Sequence, residues 1–282
     1  MKLTKEVVCA ALEKEFFLTK GNVIPPEIAL PGCEKLTVFE VPLIGFADAD
    51  DPLFESFHQP DIIGPPYLSP KEWLADARTV ISFFLPFTEA VRRANRGGEE
   101  TASAWLHGRV EGQDFITNYT ERLGDWFSAQ GINVCVPASD ARFVALMQSV
   151  PDEETGQPGL RVSSAWSERH AAYVAGLGTF SLTRGLITEK GVAGRYGSII
   201  ISERIEPDVR PYSGIYDYCT RCGACVKKCP AGAVSLEYGK NQLLCSEWVS
   251  RTKEKYAPRY GCGKCQVGVP CESRNPSRFC VS

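Results

Sequence analysis

The sequence predicts a layered α/β or α+β core followed by a small segment that metal, more than a hydrophobic core, holds together. Three observations carry this expectation. Helix-spaced and strand-like apolar runs alternate up to about residue 208. Nine of the 12 cysteines fall between Cys219 and Cys280. The stretch around those cysteines is rich in turn residues, so ligand bonds must replace much of the packing that a core would supply.

The elements follow in chain order. Thr4–Leu18 places Val7, Val8, Ala11, Leu12 and Phe16 at helical spacing, which predicts an amphipathic helix. Residues 21–66 are rich in Pro and turn residues with short apolar runs, which predicts strands and loops. Ser69-Pro70-Lys71-Glu72 is a capping box with Pro at the first helical position, leading into the strand Thr79–Phe87. The charged stretch Arg92–Glu100 reads as an exposed loop with a basic cluster at Arg92, Arg93 and Arg96, which could instead meet a phosphate or an anionic substrate. Phe115, Tyr119, Leu123, Trp126 and Phe127 repeat at helical spacing up to Gly131. Ile132–Pro137 reads as a strand, His170–Ala175 as a helix ending at Gly176, and Gly197–Ile205 as a further strand. Pro207, Pro211 and Gly214 mark a boundary, so we expect a core over residues 1–208 and a second unit over 209–282.

At 282 residues the chain can bury roughly three quarters of its unfolded surface and needs no disulfides to fold. Hydrophobic residues make up 44% and charged residues 23%, which excludes a disordered tail, a fibre and a polytopic membrane protein. The net charge of −3 gives no global pull toward nucleic acid. The longest apolar run, Val80–Phe87, is far short of the roughly 20 residues that span a bilayer. No export signal is visible at the N-terminus, so the expected compartment is the reducing cytoplasm, with no membrane partner. There, clustered cysteines read as metal ligands more readily than as disulfides.

The strongest signal is Cys219-Thr-Arg-Cys222-Gly-Ala-Cys225-Val-Lys-Lys-Cys229-Pro230. This is C-x2-C-x2-C-x3-C-P, the run that binds 4Fe–4S clusters in bacterial ferredoxins, where the fourth Cys serves a second cluster. Three thiolates two residues apart let one tight loop wrap three corners of a cube, and Pro230 turns the chain away. A second set is present in altered form: Cys245 alone, Cys262-Gly-Lys-Cys265, and Cys271. We assign cluster one to Cys219, Cys222, Cys225 and Cys271, and cluster two to Cys229, Cys245, Cys262 and Cys265. Cys280 is a possible substitute ligand, although its terminal place favours a free thiol. A structural zinc site would instead show two C-x2-C pairs roughly a dozen or more residues apart. Cys9, Cys33 and Cys135 read as small buried hydrophobes.

The residues ahead of this run carry a second clue. Glu168-Arg169-His170-Ala171-Ala172-Tyr173-Val174-Ala175-Gly176-Leu177-Gly178 continues into Thr179-Phe180-Ser181-Leu182, Leu186-Ile187-Thr188 and Arg195-Tyr196-Gly197-Ser198. With Asp76–Ser82 and Tyr260–Gln266, this order resembles the epoxyqueuosine reductase and corrinoid reductive dehalogenase family, in a short form without the C-terminal helical repeats that many epoxyqueuosine reductases add. The resemblance implies a core of nitroreductase-like, cobalamin-reductase type, with cobalamin held base-off beside one cluster. Gly176, Leu177, Gly178, Thr179, Gly197 and Ser198 would lie along the corrin. The same glycines would equally serve as a helix stop and a close strand contact.

One stretch departs from that family. It carries a proton-donating aspartate in a V-D-S-G-P stretch before the Glu-Arg pair, whereas this chain reads Val162-Ser163-Ser164-Ala165-Trp166-Ser167. Serine holds its proton too tightly for the task. The change, with the missing repeats and the acidic balance, argues against tRNA as substrate. His170 and Tyr173 become the candidate catalytic residues, with Tyr196 as a further donor, His170 suiting proton chemistry best. His58 and His107 lie in loop and helix-edge contexts and are not expected to ligate metal. The expected activity is an iron–sulfur reductase passing electrons through two 4Fe–4S clusters to cobalamin or directly to a small organic substrate. The electrons would come from a donor such as ferredoxin or flavodoxin. The alternative is a low-potential carrier or reductive activator of a partner enzyme.

Overall fold

The computed structural model describes residues 3–151, 156 and 158–279. It opens with α1 (Lys5–Leu18), where the Thr4 hydroxyl accepts from the Val7 N–H and Val8, Leu12 and Phe16 are buried on one face. A long loop leads to β1 (Leu43–Asp48), then to α2 (Pro52–Ser56) and α3 (Pro70–Trp73). Both short helices begin on Pro, whose fixed φ suits the first helical position. At α3 the Ser69 N–H donates to Glu72 Oε2 at 2.6 Å, the return bond of the expected capping box.

Next come β2 (Thr79–Pro86), α4 (Glu89–Arg96), α5 (Ser103–Arg109), α6 (Glu111–Ser128) and β3 (Val134–Cys135). A largely exposed hairpin, β4 (Ala145–Pro151) and β5 (Pro158–Ser164), precedes α7 (Glu168–Val174). The tight hairpin β6 (Gly178–Phe180) and β7 (Leu186–Thr188) leads into β8 (Gly194–Ile201). Beyond it lie α8 (Ala224–Lys228), β9 (Val234–Ser235), β10 (Gly239–Lys240) and α9 (Gln242–Tyr256). No described helix is long and apolar enough to cross a membrane.

The main sheet runs β1-β2-β8-β3 and every pairing in it is antiparallel. Of the two expected classes the core is therefore α+β: a parallel sheet would need a crossover between each pair of strands. Strand β2 is buried along its whole length because helices cover both faces. Its alternation sorts the layers. Ile81, Phe83 and Leu85 pack with Ile199, Ile201 and the α1 and α6 side chains Leu12, Phe16, Phe115, Tyr119 and Leu123. Val80 and Ile200 face Ala171 and Val174 of α7 and Ala175 just after it on the other side. Each such side chain contributes roughly 1.5–3 kcal/mol by leaving water.

Two expectations are corrected here. Arg92–Arg96 is not a loop but the last turns of α4, with Arg92 8% exposed, while Gly97–Glu100 is the exposed loop expected. Arg92 pairs with Glu40 at 3.1 Å, and Arg96 Nη2 donates to Glu272 at 2.6 Å. Glu272 lies 176 residues away, so the sequence window held no sign of the partner. The tail, expected to be loops, contains the 15-residue helix α9. That helix buries only Thr252, so it lacks the apolar face by which a sequence reveals a helix.

The tail docks on the front half through backbone and buried side chains. Val267 enters the largest hydrophobic cluster. The N–H groups of Val192 and Ala193 donate to the carbonyls of Cys271 and Glu272 at 2.9 and 3.1 Å. Gly191 sits under this contact with φ +80°, and a Cβ there would lie 2.4 Å from the Glu272 and Ser273 backbone. We therefore predict that Gly191→Ala destabilises the chain by about 2 kcal/mol or more, through strain and displaced backbone. Gly124→Ala, mid-helix with its nearest neighbour atom at 4.0 Å, should instead stabilise by about 0.5–1 kcal/mol. Thermal unfolding of the two variants should shift in opposite directions.

Candidate metal centre

None of the eleven described cysteines is in a disulfide, and Cys280 lies outside the described residues. Cys33 and Cys135 are buried and Cys9 half-buried, each away from the tail cysteines in the chain. Cys219, Cys222, Cys225 and Cys271 line one mostly apolar hollow, closed by Leu182, Ile187 and Val269. After burial, the charges that act on the Cys271 thiol are those of Cys225, Cys219 and Cys222. The thiols of Cys262 and Cys265 both feel Cys245 and Cys229. The tail thus gathers eight thiols into two groups of four. Burial pushes Cys265 and Cys271 up to about 12, so without a bound metal both stay protonated and would give up their protons only to a metal centre.

Local backbone explains the gathering. Gly223 and Gly263 follow Cys222 and Cys262 directly and take φ values of +74° and +67°. These left-handed turns fold the chain so that N–H groups face the sulfurs. The Ala233 N–H donates to Cys229 Sγ at 3.2 Å. Gly263 is held down on Trp105, since a Cβ would fall 1.9 Å from the indole ring. Asn95 Nδ2 donates to the Cys262 carbonyl at 2.8 Å. Glu272, one residue past Cys271, accepts from Arg96 and from the Gly268 N–H at 2.6 Å. Among the described residues, no three His, Cys, Asp or Glu side chains are grouped to hold one metal ion. The donor set, with thiols spread around a volume and N–H groups on sulfur, fits a 4Fe–4S cube at each group.

The front-half candidates surround α7. Gly176 stops that helix with φ +78°. Leu177 packs against Gly45, and Gly178 presses on the Ile187 carbonyl, where a Cβ would clash at 1.9 Å. Thr179 is fully buried and its hydroxyl accepts from the Tyr218 N–H at 2.8 Å, tying β6 to the residue before Cys219. Gly197 lies against the Phe83 ring. Ser198 donates to Glu168 Oε2 at 2.6 Å and accepts from Trp166 Nε1 at 2.9 Å. His170 Nδ1 shares a 2.7 Å hydrogen bond with Ser167 and packs between Phe57 and Phe180, and this burial lowers it to about 4. Tyr173 is buried with its hydroxyl pushed up by desolvation. Tyr196 donates to the Leu186 carbonyl at 2.7 Å, and Ser163 is buried on β5. His58 pairs with Glu72 at 3.0 Å; His107 is fully buried, accepting from the Leu30 N–H and pairing with Glu111.

Sequence reasoning passed over Glu168, Asn95 and Glu272. Glu168 stood in the Glu-Arg pair, but nothing in its neighbours shows that it faces Ser198. Glu272 adjoins a cysteine, a usable signal for a side chain that braces a ligand.

A family model described as a 4Fe–4S binding domain matches residues 213–235. The chain is 37% identical over 106 residues to an epoxyqueuosine reductase of Listeria monocytogenes, covering 34% of this chain and 27% of that protein. It is 25% identical over 217 residues to an epoxyqueuosine reductase of Staphylococcus aureus, covering 71% and 50%. The chain thus spans at most about half the length of these curated relatives. In fold it is similar to a reductive dehalogenase whose structure is described as suggesting a mechanism for B12-dependent dehalogenation, with TM-score 0.54, 14% identity, and coverage of 84% and 31%. The chain resembles the epoxyqueuosine reductase and reductive dehalogenase family, as its motif order indicated.

The half-buried Glu168 carboxyl is raised from 4.5 to about 7, first by desolvation. The folded state therefore holds its proton more tightly than the unfolded state does. That contribution to stability is present below pH 4.5 and is lost as pH rises through about 7. Melting temperatures of the native chain and Glu168→Gln, compared across this range, should show the native chain losing more stability with rising pH.

Proposed function

We propose that the chain is an iron–sulfur reductase in which two 4Fe–4S clusters deliver electrons to a group or substrate at the front half. The gathering of eight thiols into two groups of four carries this reading. Cluster one would be held by Cys219, Cys222, Cys225 and Cys271, and cluster two by Cys229, Cys245, Cys262 and Cys265. When bound, the clusters supply one-electron transfer. The chain's own residues fix the ligand loops: Asn95 on the Cys262 carbonyl, the Val192 N–H on the Cys271 carbonyl, and Thr179 on the Tyr218 N–H. The division into 1–208 and 209–282 is proposed as one of tasks, with the tail carrying electrons and the core receiving them.

In the finer reading the acceptor is cobalamin in a nitroreductase-like core. Motif order and the fold likeness support it. Of the six residues proposed along the corrin, Leu177, Gly178, Thr179, Gly197 and Ser198 are buried against protein, while Gly176 reaches solvent, as do Phe180 and Gly194–Tyr196 in the adjoining strands. A corrin would lie across this accessible rim, and we derive no step through it. For proton transfer we propose His170 and Tyr173. At neutral pH His170 is a neutral acceptor, so it would pass on a proton taken from elsewhere rather than keep one in reserve.

Ser163, where the family places aspartate, favours the second reading of an electron carrier for a partner enzyme. An electron donor such as ferredoxin or flavodoxin serves either reading. The expectation against tRNA is not kept, because the curated relatives are named for epoxyqueuosine, the substrate that the resemblance places in tRNA.

Anaerobic reconstitution should load about eight irons, and Cys222→Ser should lose about half of them together with stability. A native chain that takes up zinc and no iron would end the proposal. Adding cobalamin should move its spectrum to the base-off form and raise the melting temperature. No shift at saturating cobalamin selects the carrier reading.

A further inference from the structure

The C-terminal end of α4 receives two ammonium groups, one from the turn between Cys262 and Cys265 and one from the end of α8, next to Cys229. Lys264, between Cys262 and Cys265, is 3% exposed. Its Nζ donates to the carbonyls of Asn95 at 3.1 Å and Gly97 at 2.7 Å. Lys228, immediately before Cys229, donates through Nζ to the carbonyl of Arg96 at 3.0 Å. Three successive carbonyls at a helix end, where the macrodipole is negative, thus fix two cations beside Cys229, Cys262 and Cys265. Among the described residues no comparable arrangement serves the other group: the basic residue within its C-x2-C-x2-C loop, Arg221, is exposed and turns to the Leu236 carbonyl.

A side chain on the surface would hold neither position. A buried ammonium is costly unless it is paired, and here only neutral carbonyls pair Lys264. Of the charges acting on it, that of Cys262 weighs most. A cluster with four thiolates is a net anion whose negative charge grows by one electron on reduction, and fixed positive charge favours that reduced state. We propose that Lys264, assisted by Lys228, sets the reduction potential of the cluster held by Cys229, Cys245, Cys262 and Cys265, keeping it more positive than burial alone would leave it. The inference rests on the two-cluster reading above. It makes Lys264 and Lys228 positioning residues for charge, with α4 as their anchor, and it gives the two clusters unequal potentials in one chain. Reduction here adds one electron to the cluster and no proton.

The test uses the full chain, reconstituted anaerobically with iron and sulfide and titrated with dithionite while each cluster is followed by EPR. Native chain that takes up no iron would sink the two-cluster reading itself, before the lysines are asked about. With iron content matched to the native chain, Lys264→Gln should move one midpoint potential to more negative values and leave the other in place. Lys264→Arg should restore it. A merely structural lysine would change melting temperature or iron retention without moving a potential, and equal potentials in Lys264→Gln and native protein would overturn the proposal. If Lys264→Gln fails to hold iron, Lys228→Gln decides. Its half-buried lysine caps a single carbonyl, so the same cluster should shift in the same direction by less, and no shift would overturn the proposal.

Discussion

A segment with almost no core of its own must bring its cysteines together, and the front half supplies the order that this needs. Val267 enters the large core, the Cys271–Glu272 backbone pairs with Val192 and Ala193, and Gly263 lies flat on Trp105. The placement of Cys271 then becomes a property of the main sheet, because the residues that position it lead directly into β8. Positions built on rigid elements hold a reactive centre more closely than free loops do.

The polar network around α4 is the second support. Arg92, Arg96 and Glu272 are brought together from distant parts of the chain, and Glu272 is only 5% exposed. Its four-way use, on two guanidiniums and the Gly268 N–H beside the backbone pairing, makes it costly to disturb, since removing one member leaves buried charge unmatched. The same helix thus braces Glu272, the neighbour of Cys271, through Arg92 and Arg96, and the loop of Cys262 and Cys265 through the Asn95 side chain and the carbonyls at its C-terminal end.

The sequence made the regular parts legible. The apolar run in Thr79–Pro86, the 3.6 period in α1 and α6, and the capping box at Ser69 each follow from neighbours within one element. The cysteine run was legible because its spacing is itself the geometry. What stayed hidden depends on partners far away. Arg92 and Arg96 looked solvated because Glu272 could not be seen, and α9 was missed because it buries a single residue. Around α7 the glycines carried two readings, and the structure supplies a packing reason for Gly178 and Gly197 in Ile187 and Phe83. Glu168 is a local residue with a distant consequence: only its approach to Ser198, thirty positions on, makes it unusual.

Trp105 adds an optical consequence. Its indole is the floor beneath Gly263, within van der Waals reach of the turn between two cysteines. An iron–sulfur chromophore there would drain the excited state of that ring. Under the proposed two-cluster reading, Trp105 would serve as a fluorescent gauge of occupancy, its emission dimming as the neighbouring inorganic centre assembles and brightening as it is lost.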